Sequence, residues 1–304
     1  MAARIVVTGA NGAIGQQVLR LGVTQPLELV AAVRSERAAS ELPPLPQDRA
    51  RVARIVYDSS ETLAAAFAGA QSLIHLPGLL IERPDSSYEL ANVETTRATV
   101  EAARACGVGK LVLVSAVGAD PNSKNRFFRT KGEAEEIVRR SGVSYTILRA
   151  PLVLGPGTEG ARATRRHVSR RSAWLLAGGR NLQQPLDVDD LAKAALNAAT
   201  QAEVARDLTL DLAGPECLPD REIIERAASM LGREVRIRSI PVAPVRWLLA
   251  IRTRIRGPGF SPDAIEVILA DTRVDAKAAA KELGISLTPL DVTIRRSLEL
   301  PDQA

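Results

Sequence analysis

Three glycines near the amino terminus have the spacing of a turn that binds phosphates. Gly9, Gly12 and Gly15 come directly after an apolar run, Ile-Val-Val, that predicts a β-strand. An amphipathic helix is predicted over 13–21, so its positive N-terminal end would point at a bound phosphate. In such a turn the first glycine allows a sharp bend, the second lets the backbone approach a pyrophosphate, and the third lets the helix pack close to the sheet. A second apolar strand over 27–33 favours this dinucleotide site over an ordinary strand–turn–helix corner.

The residue that follows the second strand bears on the choice of cofactor. An NAD-preferring site usually has Asp or Glu there for the ribose hydroxyls, and this chain has Arg34. A guanidinium can pair with a 2'-phosphate, and Ser35 and Arg37 are close enough in sequence to join it. Arg34 therefore predicts NADP(H); the alternative is a solvated surface arginine.

Further polar or turn-forming residues stand at predicted strand ends. The Asp58 carboxylate, followed by Ser59, could accept the exocyclic amine of an adenine, or it could cap a helix, or both. Residues 76–78 form a small turn suited to close backbone approach. Pro151 follows the sixth strand, near the crevice where a nicotinamide would rest.

Strand and helix patterns alternate through the first half of the chain. Further strands are predicted over 55–57, 72–76, 110–115 and 145–148, and helices over 60–67, 88–106 and 131–141. After 150 the patterns predict helices over 188–200, 220–231, 245–255, 262–270 and 275–283, and strands over 208–212 and 235–240. Alternation of this kind predicts an α/β fold, a Rossmann-type doubly wound parallel sheet with a smaller, mostly C-terminal substrate lobe. We expect the nucleotide domain over 1–155, completed by about 185–213, and the lobe over 156–184 and 214–304.

Composition limits the other possibilities. The 304 residues are 46% hydrophobic and 25% charged, which is ordinary for a globular protein. Cys106 and Cys217 are too isolated for a disulfide framework or a zinc site, so we expect no metal, and neither a signal peptide nor a membrane span is apparent; a cytoplasmic location is the expectation. Arginines cluster within 162–180 and 233–256, but aromatic residues are only 3% of the chain, so we expect solvated faces and no nucleic-acid partner.

One segment of the C-terminal part could lie at a membrane surface. Residues 245–255 mix Trp247, leucines and arginines as an interfacial helix does. The favoured alternative is a lid or core helix of the substrate lobe, so membrane association is not expected.

These residues together resemble the extended or atypical short-chain dehydrogenases/reductases, closest to the branch with NmrA-like proteins and the respiratory complex I accessory subunit. The resemblance runs over nearly the whole chain. Its marks are Thr-Gly-Ala-Asn-Gly-Ala-Ile-Gly over 8–15, Asp58-Ser59, Leu76-Pro77-Gly78, Asn92, Val114-Ser115, Lys131 with Glu133, Arg149-Ala-Pro151 and Asp-Val-Asp-Asp over 187–190. The acidic run over 187–190 is expected to stabilise the sheet and cap a helix. The resemblance implies that the cofactor-binding residues are Thr8, Gly9, Asn11, Gly12, Ala13, Ile14, Gly15, Arg34, Asp58, Ser59, Leu76, Pro77, Gly78, Lys131 and Pro151.

The chain departs from the family at its acid. Active members use Tyr-x-x-x-Lys, with the tyrosine as general acid, and here Phe127 stands four residues before Lys131. Lys131 and Ser115 remain as the catalytic candidates. Of the possible substitutes, His75, Tyr57 and Tyr145 are expected to be core residues, whereas Tyr88 and His167 are expected to be freer.

Two functions follow from the resemblance. The first is an NADPH-dependent reductase of a carbonyl or quinone, such as a bulky polycyclic aromatic metabolite, with water or the substrate as proton source. The alternative is a non-catalytic NAD(P)-binding regulator or scaffold, as NmrA-like proteins are. The expected partner is a small, aromatic substrate, and the expected state is a monomer or homodimer.

Overall fold

The computed structural model describes residues 2–76, 78–201, 204 and 206–300. Its strands are β1 (Ala3–Thr8), β2 (Leu27–Val33), β3 (Ala50–Arg54), β4 (Ser72–His75), β5 (Lys110–Ala116), β6 (Ser144–Ala150), β7 (Val153–Leu154), β8 (Ser172–Leu176), β9 (Leu182–Gln183), β10 (Leu186–Asp187), β11 (Leu208–Asp211), β12 (Leu218–Pro219) and β13 (Arg236–Ile240). Its α-helices are α1 (Ala13–Gly22), α2 (Glu36–Ser40), α3 (Ser60–Phe67), α4 (Thr95–Ala105), α5 (Arg126–Arg139), α6 (Glu159–Val168), α7 (Val188–Thr200), α8 (Asp220–Met230), α9 (Val242–Arg256), α10 (Pro262–Leu269), α11 (Ala276–Glu282) and α12 (Leu290–Ser297). A π-helical turn, Glu89–Glu94, leads directly into α4.

A parallel sheet of seven strands forms the centre of the molecule, in the order β11-β6-β5-β4-β1-β2-β3. The chain builds outward from β1 to β3 and then returns to place β4 on the other side of β1. Strand order therefore reverses between β1 and β4, and the crevice at their carboxyl ends is where ligands of such sheets bind. The predicted fold class, a Rossmann-type doubly wound sheet, is confirmed.

Both faces of the sheet are covered, which explains the continuous apolar runs of its inner strands. On one face α1 packs against α7, whose buried alanines allow the two helices to approach closely. On the other face the core is built from α3, α4 and α5, with Phe67, Val100 and Val138 buried among the strand residues.

A third hydrophobic cluster lies outside the main sheet. It joins residues of α6, β8, α8 and α12, among them Val168, Leu175, Ile224 and Ile294. Ala279 and Leu283, which fall in the sequence range expected for the lobe, pack instead in the cluster around α1 and α7. The domain boundaries beyond this observation remain a prediction.

Several predicted elements differ from the structure. The predicted strand over 55–57 is wrong, because β3 ends at Arg54 and only the backbone N–H of Ile55 continues the pairing, donating to Val33 O at 2.9 Å. The predicted helix over 131–141 begins earlier, at Arg126, because Asn125 caps it. The helix over 88–106 is interrupted by the π-helical turn. The helices α2, α6 and α12 and the strands β7, β8, β9, β10 and β12 were also not predicted from the sequence.

Candidate functional site

The glycine turn after β1 is packed so closely that side chains would not fit. Gly9 has a φ of +71°, and a Cβ on it would lie 3.1 Å from Leu76 O. A Cβ on Gly15 would lie 2.5 Å from Gly9 O, and one on Gly12 would lie 3.3 Å from the same oxygen. Ala13 and Ile14 form the first turn of α1, so the helix N-terminus opens directly onto this turn. The three glycines thus bring backbone atoms close together at the start of α1, which forms a cradle suited to a pyrophosphate.

Asn11, in the same turn, is held by an acidic residue that was not among the predicted site residues. Its Nδ2 donates to Glu41 Oε2 at 3.0 Å. The other oxygen of Glu41 lies 3.5 Å from Arg37 Nε, so Arg37 is turned toward a carboxylate of its own helix end. Because Arg37 is 90% exposed, this pair leaves its guanidinium accessible.

The second strand and the third deliver their end residues to one cavity. Arg34, Tyr57 and Asp58 line a cavity of about 340 Å³ together with residues of α4. Ser35 caps α2 by accepting the Ala38 N–H at 3.2 Å. The interpretation of Asp58 as a helix cap is wrong: Ser59 caps α3, accepting from Thr62 N–H, and the Asp58 carboxylate is exposed at the cavity.

Tyr57 was predicted to be a core residue and is only half-buried, with one side on the core and the other on this cavity. Burial raises the pKa of Tyr57, and a hydrogen bond with Thr8 and the charge of Arg34 partly offset that rise. Thr8, Tyr57 and Arg34 are therefore neighbours at the carboxyl ends of three adjacent strands.

A buried ammonium lies at the other end of the crevice. A Cβ on Gly78, which has a φ of +151°, would lie 2.8 Å from Lys131 Nζ and 3.5 Å from Asn92 Oδ1. Lys131 Nζ donates to Val114 O at 3.5 Å, and burial lowers the pKa of Lys131 to about 8. The turn after β4, the π-helical turn and α5 thus converge on one point. Leu76 leads into that turn, its N–H donating to Thr8 O at 3.2 Å.

Two buried polar atoms close to this point have no partner in the described part of the chain. They are Asn92 Oδ1 and Ser115 Oγ. Asn92 Nδ2 donates to Thr130 Oγ1 at 3.0 Å, which fixes the amide so that its oxygen is on the side of Gly78. Unsatisfied buried oxygens of this kind are costly unless a ligand supplies the missing hydrogen bond.

The residues present suit a dinucleotide. Along the carboxyl edge of the sheet, the cavity at Arg34 lies at the end of β2, the glycine turn at the end of β1, and Lys131 near the ends of β4 and β5. Asn92 was not among the predicted site residues, although an amide within an otherwise buried helix face was a readable signal. Pro77 lies outside the described residues, and Pro151 follows β6 at the same edge, half-buried.

The position of the family's tyrosine is occupied by a packed phenyl ring. Phe127 is 8% exposed, and its ring meets that of Tyr88 edge to face at 5.8 Å between centroids. It has no proton to give.

The residues considered as substitutes for that acid lie in different surroundings. The expectation that Tyr88 is freer is wrong. Tyr88 is fully buried, and its hydroxyl donates to Leu80 O at 2.7 Å. Burial raises the pKa of Tyr88 to about 12, so its proton is firmly held. His167 is half-buried on α6, where burial and two arginines lower its pKa. His75 is confirmed as a satisfied core residue, bonded to Thr8 Oγ1 at 2.7 Å and with its pKa lowered by burial to about 3.

A second, larger cavity of about 530 Å³ adjoins the first turn of α5. It lies between the loop after β4, Arg126 and the residues that join α9 to α10. The Arg126 guanidinium is held between two carboxylates, at 3.0 Å from Glu82 Oε1 and 2.8 Å from Glu89 Oε2. The cavity lining is mostly polar, with Ser86, Ser261 and Asp263 among its residues.

The acidic run over 187–190 has the predicted structural role. Asp187 caps α7 and accepts from Thr293 Oγ1 at 2.8 Å, while Asp190 accepts from the Thr288 N–H and hydroxyl. These bonds fasten the C-terminal segment to the sheet domain, although Asp187 itself belongs to the short pair β7 and β10.

No three His, Cys, Asp or Glu side chains of residues 2–76, 78–201, 204 and 206–300 are grouped so that they could hold a metal ion. None of the helices in that part of the chain is both long enough and apolar enough to cross a membrane.

Comparison with known proteins agrees with this geometry. Residues 9–173 match the family described as NAD(P)H-binding. The 40 kDa subunit of mitochondrial NADH-ubiquinone oxidoreductase from Neurospora crassa is 25% identical over 291 residues, which cover 94% of this chain and 76% of that subunit. An NAD(P)H azoreductase from Xenophilus azovorans is 27% identical over 234 residues, covering 76% of this chain and 75% of the azoreductase.

A solved structure shares the fold over nearly its full length. It is an NADPH-dependent quinone oxidoreductase from Escherichia coli complexed with NADPH, with a TM-score of 0.72 and 21% identity, and the match covers 95% of this chain and 98% of that one. Matched over more than half its length, this chain belongs to the NAD(P)H-binding family, within the atypical short-chain dehydrogenase/reductase and NmrA-like superfamily.

Proposed function

We propose that the protein is an NADPH-dependent reductase that transfers a hydride to a quinone or a bulky aromatic carbonyl without a side-chain acid. The observation that carries the proposal is the buried Lys131 beside Asn92 Oδ1 and Gly78, with Phe127 where the acid would be. We take Lys131 and Asn92 as the anchor on the nicotinamide side. The azoreductase relative and the quinone oxidoreductase of similar fold support reduction of conjugated acceptors.

The chain's own residues would divide the work of binding. The glycine turn and the N-terminus of α1 would hold the pyrophosphate, and Arg34 would pair with the 2'-phosphate. The Lys131 ammonium and the Asn92 oxygen would hold the ribose and carboxamide side, and the bound cofactor would supply the missing hydrogen bond of Asn92 Oδ1. NADPH, when bound, supplies a hydride.

The acceptor determines whether a side-chain acid is needed. A quinone becomes a hydroquinone by taking up one hydride and one proton. Hydride transfer gives a phenolate-type anion whose charge is delocalised over the ring, so no acid is needed in that step and the anion takes its proton from solvent afterwards. The polar cavity beside α5 is open to solvent and contains serine hydroxyls and carboxylates, so water has access there. Positioning alone then supplies much of the rate.

Phe127 also supports a second function. Because Phe127 cannot donate a proton, a nucleotide-binding subunit or regulator without turnover is the alternative, and the complex I subunit relative supports it. Such a protein would retain Lys131 as a ribose anchor in the same way.

The two functions separate in one experiment. The purified protein is titrated with NADPH, NADP⁺, NADH and NAD⁺, and NADPH consumption is then followed with quinones of increasing size and with aryl ketones. The reductase should prefer the phosphorylated pair and turn over at least one conjugated acceptor. Tight binding without any turnover would favour the regulator, and failure to bind any nucleotide would contradict both.

Installing the missing hydroxyl tests the acceptor argument. Phe127→Tyr restores the family's acid beside Lys131, so new activity on small ketones is expected while quinone reduction changes little. If quinone reduction instead rises together with ketone reduction, the acceptor does need the acid and the proposed mechanism is wrong.

A further inference from the structure

Helix α9 differs from every core helix because it contains no buried residue. Of the two expected roles, a lid or a core helix of the lobe, the core helix is therefore wrong, and the lid stays a prediction. It packs against α10, and Thr253 on one of its faces lines the larger cavity. Trp247, Leu248 and Ile255 are 68%, 60% and 74% exposed.

The exposed apolar residues share one face of the helix. Their spacing of three, four, seven and eleven residues places them on a single stripe, which we call the apolar stripe. The apolar stripe consists of Pro244, Trp247, Leu248, Ile251 and Ile255, all exposed except the half-buried Ile251. By helical rotation Arg252 and Arg254 fall on its two borders, and both are exposed.

The sequence segment that contains the apolar stripe is strongly basic, and the nearby carboxylates Asp263 and Glu266 belong to α10, which packs against α9. Residues 231–260 contain seven arginines and a single carboxylate, Glu234, although the whole chain carries only +5. Arg246 pairs with Glu266 at 2.8 Å. The others have no carboxylate within 4 Å in the described part of the chain; they are Arg233, Arg236, Arg238, Arg252, Arg254 and Arg256.

We propose that the apolar stripe of α9 and its bordering arginines dock the protein on an anionic lipid surface. Tryptophan and aliphatic side chains insert at the level of the headgroups, and arginines beside them pair with lipid phosphates. Unpaired arginines attract a negative surface over a distance of about 8 Å at physiological salt. The stripe is not suited to a second copy of the chain, because a two-fold contact would bring its arginine borders against one another.

The test uses the full chain with vesicles of two compositions, phosphatidylcholine alone and equal parts of phosphatidylcholine and phosphatidylglycerol. The chain has two tryptophans, so Trp174→Phe leaves Trp247 as the reporter. We expect co-flotation with the anionic vesicles only, a blue shift of Trp247 fluorescence on binding, and weakening by added salt. No binding to either vesicle, or equal binding to both, would overturn the proposal.

Matched variants separate the stripe from general effects. Trp247→Glu should abolish vesicle binding, whereas Val292→Glu, at a 42% exposed position on α12, should not. Arg252→Gln with Arg254→Gln should weaken binding about 25-fold, roughly fivefold for each charge. Arg104→Gln, an exposed arginine on α4, is the control and should leave binding unchanged.

Two further measurements test whether Trp247→Glu is folded and whether the stripe is a contact between copies of the chain. NADPH affinity should be unchanged in Trp247→Glu, which shows that the variant is folded. Sedimentation of the wild-type chain should give the same mass as that of Trp247→Glu. If the variant instead converts a dimer to a monomer, the stripe is a contact between copies and the lipid proposal is wrong.

Discussion

The glycine turn, at the close-packed end of the crevice, and the larger cavity beside α5 are built in opposite ways. Around Gly9 and Gly15 backbone meets backbone so closely that one added methyl group would clash, whereas the larger cavity is bordered by α9, none of whose residues is buried. The close-packed end accepts one shape of ligand and is readable from the sequence. The larger cavity is shaped by a few polar contacts between distant loops, so the identity of the acceptor is less strongly encoded than that of the cofactor.

The largest expected effect comes from the close-packed end. Gly15→Ala would place a methyl group 2.5 Å from Gly9 O, so the helix must move away from the turn. We expect NADPH affinity, measured by fluorescence titration, to fall by at least about 100-fold, since a misplaced helix N-terminus loses several phosphate contacts. Gly142→Ala is the control: it strains a φ of +72° but meets nothing within 4 Å, so affinity should not change. Equal affinities in the two variants would break the comparison.

The next effect distinguishes binding of the 2'-phosphate from binding of the rest of the cofactor. Arg34→Ala should weaken NADPH binding by roughly 10- to 100-fold, the usual worth of a charged hydrogen-bonding partner, and leave NADH binding nearly unchanged. Arg54→Ala, an exposed arginine at the end of the neighbouring strand β3, should alter neither. If NADH and NADPH weaken together, Arg34 acts on the fold of the strand end and not on the 2'-phosphate.

Lys131 should show opposite effects on binding and stability. We expect Lys131→Met to weaken NADPH binding about tenfold and to raise the free energy of unfolding at pH 7 by roughly 1–3 kcal/mol, because the buried ammonium is costly. The lowered pKa, about 8 against 10.5, means that the unfolded chain binds more protons between these values. Wild-type stability should therefore gain from this group as pH rises through that window.

Urea unfolding of both proteins at several pH values measures this. The gain with rising pH should be smaller in Lys131→Met than in the wild type. A variant that is less stable at pH 7 would show that the ammonium stabilises the fold, contrary to the expectation.

The smallest effect is expected at Phe127. Phe127→Leu removes the edge-to-face contact with Tyr88 and should cost about 1 kcal/mol of stability. Quinone reduction should stay within about threefold, since the ring supplies no proton and positioning remains. A loss of activity much larger than the loss of stability would mean that the ring itself touches the acceptor.

The accuracy of the sequence predictions follows from the same contrast. The glycine turn and the inner strands were predictable because buried parallel strands are continuously apolar. Strand β3 was placed wrongly because it lies at the sheet edge, where its sequence Ala-Arg-Val-Ala-Arg includes two charged residues and is not continuously apolar. The buried side chain that suggested a strand belongs to Ile55, which follows β3.

The candidate site was predictable only where neighbouring residues build it. The convergence of Gly78, Asn92 and Lys131 depends on how three separate elements meet, and the larger cavity joins residues near 85, 126 and 260. Neither leaves a local pattern in the chain. The burial of Tyr88 was missed for the same reason, because the loop that covers it folds back through the Glu82 carboxylate, which accepts the Tyr88 N–H.

The π-helical turn Glu89–Glu94 determines the direction in which the Asn92 amide points. Such a turn holds one residue more than the α-helix that continues it, and each residue of an α-helix turns the next side chain by about 100°. The direction of the amide thus depends on how many residues precede it as well as on its own identity. Substitutions at the neighbours Leu90, Ala91 and Val93 should leave that direction intact. Deletion of Leu90 or Ala91 should rotate the Asn92 amide away from Lys131, although the amide itself is unchanged.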